Sequence, residues 1–187
     1  MLRLFVAISL DPGPMLLEAM QDFRRRLSSS SINWVAAQGL HITLRFLGET
    51  QADKRNSIVQ ALENIRPKGS PDILVKGAGC FGPRSSPRVI WLGVEPENFL
   101  KRLAADINFA LREPGFALPE RAFSAHLTLG RIKRLDKPEV LQDCIGYYRG
   151  KELHRQPFKG FGLYSSLLRP DGPVYTLEKH FPISHDR

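Results

Sequence analysis

Along the chain, short β-favouring runs alternate with longer stretches in which apolar residues recur every three or four positions. The run Leu4-Phe5-Val6-Ala7-Ile8-Ser9-Leu10 reads as a buried first strand. It is far short of the roughly 20 apolar residues that span a bilayer. Asp11-Pro12-Gly13-Pro14 comes directly after it with no small-residue cleavage pattern, so a signal peptide is not expected. Leu16, Met20, Phe23 and Leu27 then fall on one helical face, with Pro14 suited to a helix start, and predict a helix over 14–27. Arg24-Arg25-Arg26 closes it as a solvated last turn favoured by the helix dipole. Strands are predicted over 33–36 and 40–47. A helix over 52–65 carries Ile58, Leu62 and Ile65, and is broken by Pro67-Lys68-Gly69-Ser70-Pro71. Further strands are predicted over 73–76, 88–94 and 125–129. A helix marked by Leu103, Ile107 and Leu111 lies before the last of these, and a weaker helix over 138–145 comes after it. Residues 158–167 and 174–182 read as a closing strand pair. Short strands mixed with amphipathic helices predict an α+β fold with antiparallel sheet. No linker is long enough to separate independent domains, so 1–187 is expected to form one domain.

Composition narrows the class. With 187 residues, 42% hydrophobic and 25% charged, the chain has ordinary globular usage, which argues against disorder, collagen and coiled coil. Its net charge of +8 fits either a polyanion partner such as nucleic acid or solubility alone. The two cysteines, Cys80 and Cys144, form no zinc or disulfide pattern and fit a reducing cytoplasm.

One internal echo carries chemistry. His41-Ile42-Thr43-Leu44 returns 85 positions later as His126-Leu127-Thr128-Leu129. From the composition, two such matches arise by chance on the order of 0.5% of the time. Strand side chains alternate between faces. In each copy, therefore, histidine and threonine share one face while the two aliphatic residues share the other. Brought together, the copies would present two imidazoles and two hydroxyls to one groove. Two histidines facing one substrate can divide general base from general acid. The threonines can donate to non-bridging oxygens as charge builds there. That set suits in-line displacement at phosphorus. Two histidines are too few ligands for catalytic zinc, and no metal or other cofactor is expected. Arg45 shares parity with His41 and Thr43, which makes it a candidate for contacting an RNA backbone. Phe46 shares parity with Ile42 and Leu44 and is expected in the core. Strict alternation points Arg131 away from His126, whereas a bulge at Gly130 would turn it inward. His154, His180 and His185 lack this context and are expected at the surface, and Arg169 is not placed by the sequence.

The paired motifs resemble those of the 2H phosphoesterase superfamily, in particular its RNA 2′,3′-cyclic phosphodiesterases, also called 2′-5′ RNA ligases. The resemblance covers nearly the whole chain. It takes in residues 3–8, Asn33-Trp34-Val35, residues 40–48, 88–94 and 123–131, Leu163-Tyr164-Ser165-Ser166 and Gly172-Pro173-Val174-Tyr175. It implies a bilobal, pseudo-twofold fold in which two antiparallel sheets face a central groove and helices pack outside. It also implies hydrolysis of a terminal RNA 2′,3′-cyclic phosphate to a 2′-phosphomonoester without metal or nucleotide cofactor. His41 would be the proton donor to the departing 3′-oxygen and His126 the proton acceptor from water. Thr43 and Thr128 would hold the phosphoryl oxygens, and a basic residue after the second motif, here Arg131, would contact phosphate. By reversibility the same groups would join a 5′-hydroxyl to a cyclic phosphate end. RNA ends are the implied partner, with no membrane and no obligate protein partner. Two other functions stay open on the residues: an RNA-binding module without turnover, and a phosphodiesterase acting on a small cyclic nucleotide derivative.

Overall fold

The computed structural model describes residues 1–83, 85–169 and 172–183. In chain order the elements are β1 (Leu2–Ser9), α1 (Pro14–Arg26), β2 (Ser31–Trp34), β3 (His41–Thr50), α2 (Lys54–Glu63), β4 (Asp72–Phe81) and β5 (Val89–Glu95). After these come α3 (Glu97–Ala110), β6 (His126–Arg134), α4 (Pro138–Tyr148), β7 (Glu152–Pro157), β8 (Gly160–Arg169) and β9 (Gly172–Pro182). The strands form two antiparallel sheets, ordered β3-β1-β8-β9 and β2-β6-β5-β4-β7.

Local chemistry accounts for the elements that set the site. Pro14 opens α1, where its missing N–H leaves no helical bond unmade. Leu16, Ala19, Met20 and Phe23 then line one face and are buried. At its basic end, Arg25 pairs with Asp22 and Arg24 donates to the Val35 carbonyl at 2.7 Å, so the arginine run is committed to the helix end. In α3, Phe99, Leu100, Leu103, Ala104 and Ile107 make the buried stripe that the spacing predicts.

The two sheets are built alike. Each motif strand, β3 or β6, lies at or next to a sheet edge and pairs antiparallel with the strand that precedes its helix, β1 or β5. Ser9 lies opposite His41 and Ala7 opposite Thr43, while Gly93 lies opposite His126 and Trp91 opposite Thr128. The orders β3-β1-β8-β9 and β6-β5-β4-β7 therefore match, and β2 is added beyond β6. Two of the helices cross between halves. α3 leaves the second sheet and packs on β3, and α1 leaves the first and packs on β7. Leu4, Val6, Ile8, Ile90, Leu92 and Leu127, from both sheets, accordingly belong to one buried cluster.

Strand β7 is absent from the sequence reading, since Glu152-Leu153-His154-Arg155-Gln156-Pro157 has one large aliphatic residue and reads as polar coil. It forms because it is an edge strand that needs to bury only Leu153. His154, expected at the surface, is instead half-buried and tied down. Its Nδ1 accepts from the Gly13 N–H at 3.3 Å, and its Nε2–H donates to Gln156 Oε1 at 3.1 Å. Gln156 in turn donates to the Ser9 carbonyl and accepts from the Asp11 N–H. This chain of bonds fastens the β1–α1 connection of one half to the edge strand of the other. His180 is exposed, as expected, and His185 lies outside the described residues.

Candidate active site

His41 and His126 open their strands on the sheet faces that look into the groove, and both are half-buried. Behind them Leu40, Ile42 and Leu44, and Leu127 and Leu129, are buried on the opposite face. The alternation read from the sequence thus holds within each motif. β3 and β6 approach one another, with Cα atoms within 8 Å.

Each imidazole is fixed in the same way. His41 Nδ1–H donates to the Gly39 carbonyl at 2.7 Å, and His126 Nδ1–H donates to the Ser124 carbonyl at 2.8 Å. A carbonyl can only accept, so the Nδ1 atom carries the hydrogen in both rings. In the neutral ring the second nitrogen, Nε2, then keeps a lone pair, and in the cation it carries a transferable proton. The same two-residue step back along the chain supplies the carbonyl in both halves.

The environments around the rings differ. His41 packs against Phe5, with ring centroids 4.9 Å apart, and against the edge of Tyr175 at 5.0 Å. His126 meets Phe81 edge-on at 4.9 Å. Burial pulls the pKa of His41 below its ordinary value, and the hydrogen bond to Gly39 partly offsets this. Tyr175 comes from β9, far away in sequence, and is the wall of the His41 pocket. Burial raises its phenol pKa, while the positive charges of Arg131 and Arg3 pull it down, which locates Arg131 near the groove.

A bulge in each motif strand sets which way the side chains beyond the threonines point. In β3, Thr43 and Arg45 oppose the consecutive residues Ala7 and Val6, leaving Leu44 as the extra residue. In β6, Thr128 and Gly130 oppose Trp91 and Ile90, leaving Leu129 as the extra residue. The irregularity falls at the same motif position twice. A bulge resets the alternation of faces beyond it.

The resetting corrects two expectations. Arg45 lies opposite Val6, a core position, so it does not share a face with His41 and Thr43. Its guanidinium donates to the carbonyl of Ala117 in the segment after α3, and its Nε is buried. Phe46, expected in the core, lies opposite Phe5 on the groove face and is 50% exposed. The guanidinium of Arg3 sits 5.1 Å from its ring centre. The matching shift in β6 sets Arg131 opposite Val89, on the face that carries Thr128 and Trp91. Gly130 takes the position equivalent to Arg45. A Cβ there would come within 2.8 Å of Ile32 Cγ2 and 2.9 Å of Trp34 Cε3. The groove therefore presents His41, Thr43 and Phe46 from one half and His126, Thr128 and Arg131 from the other. Sequence reasoning missed Phe46, Phe5 and Tyr175 as parts of this site. Gly130, inside the second motif strand, was the available signal of the bulge beside it, whereas the glycine of the first strand, Gly48, adjoins a further shift at Leu47 and gives no sign of the one at Leu44. Arg169 is exposed at the end of β8, a strand that pairs with β1 and β9 and with neither motif strand.

Among the described residues no three His, Cys, Asp or Glu gather where they could hold a metal ion, and no helix is long and apolar enough to cross a membrane. As a whole, the arrangement supplies two imidazoles, two hydroxyl donors, the cation of Arg131 with that of Arg3 against Phe46, and one exposed aromatic ring.

Known proteins share this architecture. A protein described as an RNA 2′,3′-cyclic phosphodiesterase from Archaeoglobus fulgidus is 37% identical over 175 residues, covering 93% of this chain and 96% of that protein. Another so described, from Methanocaldococcus jannaschii, is 32% identical and covers 96% of this chain and all of its own length. A crystal structure of E. coli LigT complexed with 3′-AMP superposes with a TM-score of 0.74 at 25% identity, covering 98% of this chain and 99% of that one. The family model described as LigT-like phosphoesterase matches twice in succession, over residues 8–91 and 92–175, once for each half and each motif. The chain belongs to the LigT-like phosphoesterase family.

Proposed function

We propose that this protein is an RNA 2′,3′-cyclic phosphodiesterase that opens a terminal cyclic phosphate to a 2′-phosphomonoester. The observation that carries the reading is the doubled lock on the histidines. Each Nδ1–H is held by a backbone carbonyl, which leaves two Nε2 atoms for one substrate. Relatives at 30–38% identity described as RNA 2′,3′-cyclic phosphodiesterases support the same substrate class.

In the proposed reaction a water oxygen attacks phosphorus while His126 Nε2 takes its proton. The bond from phosphorus to the 3′-oxygen breaks on the opposite side, and His41 Nε2–H gives its proton to that oxygen. The water oxygen stays on phosphorus, so the product is a 2′-phosphate with a free 3′-hydroxyl. Thr43, Thr128 and Arg131 would stabilise the non-bridging oxygens as negative charge concentrates there. The exposed face of Phe46 would stack on the terminal base, since any nucleobase offers a π-face. The lowered pKa of His41 is compatible with an acid role. A phosphate anion placed beside the imidazolium favours its charged form, so substrate and proton enter together. With a 5′-hydroxyl in place of water, the same transfers in the same direction would form a 2′-5′ linkage, and in reverse they would cleave one back to the cyclic phosphate. Each proton transfer is worth about 10²–10⁴-fold, and a metal is not needed for the strained ring. A cytoplasmic location accords with two unpaired thiols, one buried and one half-buried.

The test is hydrolysis of adenosine 2′,3′-cyclic phosphate and of an RNA carrying that end, in the presence of EDTA. The expected product is the 2′-phosphate, with loss of about 10²-fold or more in His41→Ala and in His126→Ala. Activity that disappears with chelator, or survives the double substitution, overturns the mechanism. Tight RNA binding with no turnover would replace it with a binding module.

A further inference from the structure

A cavity of about 370 Å³ opens where the first sheet meets the edge strand of the second. That is the size of a small-ligand site. Its walls include Ser9, Tyr164 and His180 from the first sheet, Asp11 from the β1–α1 connection, and Gln156 and Lys159 from the opposite side. It borders the active site directly. Ser9 lies opposite His41 in the sheet, and Tyr164 stacks on Phe5, which itself contacts the His41 ring. We propose that this cavity is the subsite for the second nucleotide from the RNA end, so that the preferred substrate is an oligonucleotide rather than a mononucleotide. The inference rests on the cyclic phosphodiesterase reading above.

Direction along β1 is the first argument. Phe46 lies opposite Phe5, and His41 lies opposite Ser9, four residues further on. At about 3.3 Å per residue the two positions are roughly 13 Å apart. In a ribose the base leaves from C1′ and the chain continues from C4′ through C5′, on opposite sides of the edge that carries the cyclic phosphate. With the phosphate held between the histidines and the base on Phe46, the 5′ side is directed past His41 towards Ser9. The cavity begins there.

The lining is the second argument. Arg155 borders the cavity but is already engaged by Glu152 and Asp72, whereas Lys159 makes no ion pair among the described residues. One uncommitted cation suits one phosphodiester and not a polyphosphate. Tyr164 lies flat on the sheet over Gly162, where an added Cβ would be 2.7 Å from its ring. A ring that lies flat at the side of a groove is a surface on which a base can stack. His180 and the Asp11 carboxylate supply donor and acceptor groups for a ribose hydroxyl or a base edge. The walls are also held still. The bonds joining His154, Gln156, Ser9 and Asp11 clamp the two halves together at this point.

The experiment compares adenosine 2′,3′-cyclic phosphate with the dinucleotide adenylyl-(3′→5′)-adenosine 2′,3′-cyclic phosphate. Wild-type protein should show a KM for the dinucleotide about fivefold or more below that for the mononucleotide, the scale of one partly exposed charged hydrogen bond. Lys159→Ala and His180→Ala should each erode that advantage and together erase it. Both should leave kcat/KM for the mononucleotide within about twofold, which also reports that they fold. Equal KM values in the wild type overturn the subsite. So does an advantage that survives both substitutions, or a loss shared equally by both substrates. Failure of wild-type protein to hydrolyse either compound would instead overturn the function proposed above, and this inference with it.

Discussion

The bulge after Thr43 makes Arg45 and Arg131 opposites, although both come after an H-x-T-x motif. Arg45 is turned to the helix side, where it donates to the Ala117 carbonyl and its Nε is buried without a partner. A hydrogen bond from a charged donor contributes about 1.5–3 kcal/mol, and an unpartnered buried N–H offsets part of it. Arg45→Ala should therefore cost about 1–2 kcal/mol of stability, once loss of the packed stem is included. For a chain of this length that lowers Tm by roughly 2–8 °C. Arg45→Met keeps the stem and removes the unpartnered Nε, so it should cost less than the alanine change. Neither should alter kcat/KM by more than about twofold at 25 °C, because the side chain does not reach the groove. Arg131→Ala should show the converse. The residue is exposed, so Tm should hardly move, while loss of a cation aimed at developing negative charge should lower activity by about 10²–10³-fold. The pair of assays is thermal unfolding and hydrolysis of a cyclic nucleotide. If Arg45→Ala lost tenfold or more in activity with an unchanged Tm, the assignment of faces beyond the bulge would be wrong.

Phe46→Ala should raise KM for adenosine 2′,3′-cyclic phosphate by about 5–150-fold with a smaller change in kcat, since base stacking is worth about 1–3 kcal/mol; Phe46→Trp should restore it, and an unchanged KM would remove Phe46 from the site. Because burial keeps His41 deprotonated more readily than a free imidazole, binding of a 2′-phosphate product should take up a proton and tighten as pH falls from about 8 to about 5.5. Calorimetry in two buffers of different ionisation enthalpy measures that uptake, and its persistence in His41→Gln would assign it elsewhere. Gly130→Ala should destabilise by about 1–3 kcal/mol in denaturant titration, because its Cβ meets Ile32 and Trp34 inside normal contact distance. A fully stable Gly130→Ala would mean that β2 yields more easily than its packing implies.

The sequence made some of this legible and hid the rest for identifiable reasons. Helices α1 and α3 were readable because their buried faces, such as Leu16, Met20 and Phe23, need only local spacing. The residues His41, Thr43, His126 and Thr128 were readable because a short strand segment alternates faces whatever it pairs with. Alternation failed at Leu44 and Leu129, where one extra residue enters a strand. A bulge is set by the partner strand, and β1 and β5 lie more than thirty residues away from their partners. For the same reason Tyr175 was not assigned to His41, since that contact depends on how β9 crosses β8 and β1. His154 looked like a surface residue because its neighbours are polar. Its partners, Gly13 and Gln156, become visible only once α1 is seen to pack on the other half's edge strand.

Comparison of the halves separates what the reaction requires twice from what the substrate requires once. Displacement at phosphorus is symmetric in its demands, for one oxygen must lose a proton as another gains one on the opposite side. In the proposed reaction the features that would serve it occur in duplicate: histidine, threonine, the carbonyl two residues before each histidine, and the bulge after each threonine. A nucleotide is not symmetric, having a flat base to one side and an anionic phosphate in the middle. At the third residue after each threonine, where both bulges turn a side chain back into the groove, the halves diverge to Phe46 and Arg131. An arginine in place of Phe46 would put a cation where the proposed pose has a base, and a phenylalanine in place of Arg131 would take the guanidinium away from the phosphate. Exchanging the two, Phe46→Arg with Arg131→Phe, separates these roles. If the two positions were interchangeable around a symmetric phosphate, the double variant would retain activity close to that of the wild type. If each serves its own part of the nucleotide, activity should fall at least as far as in Arg131→Ala, with thermal stability little changed because both side chains are exposed.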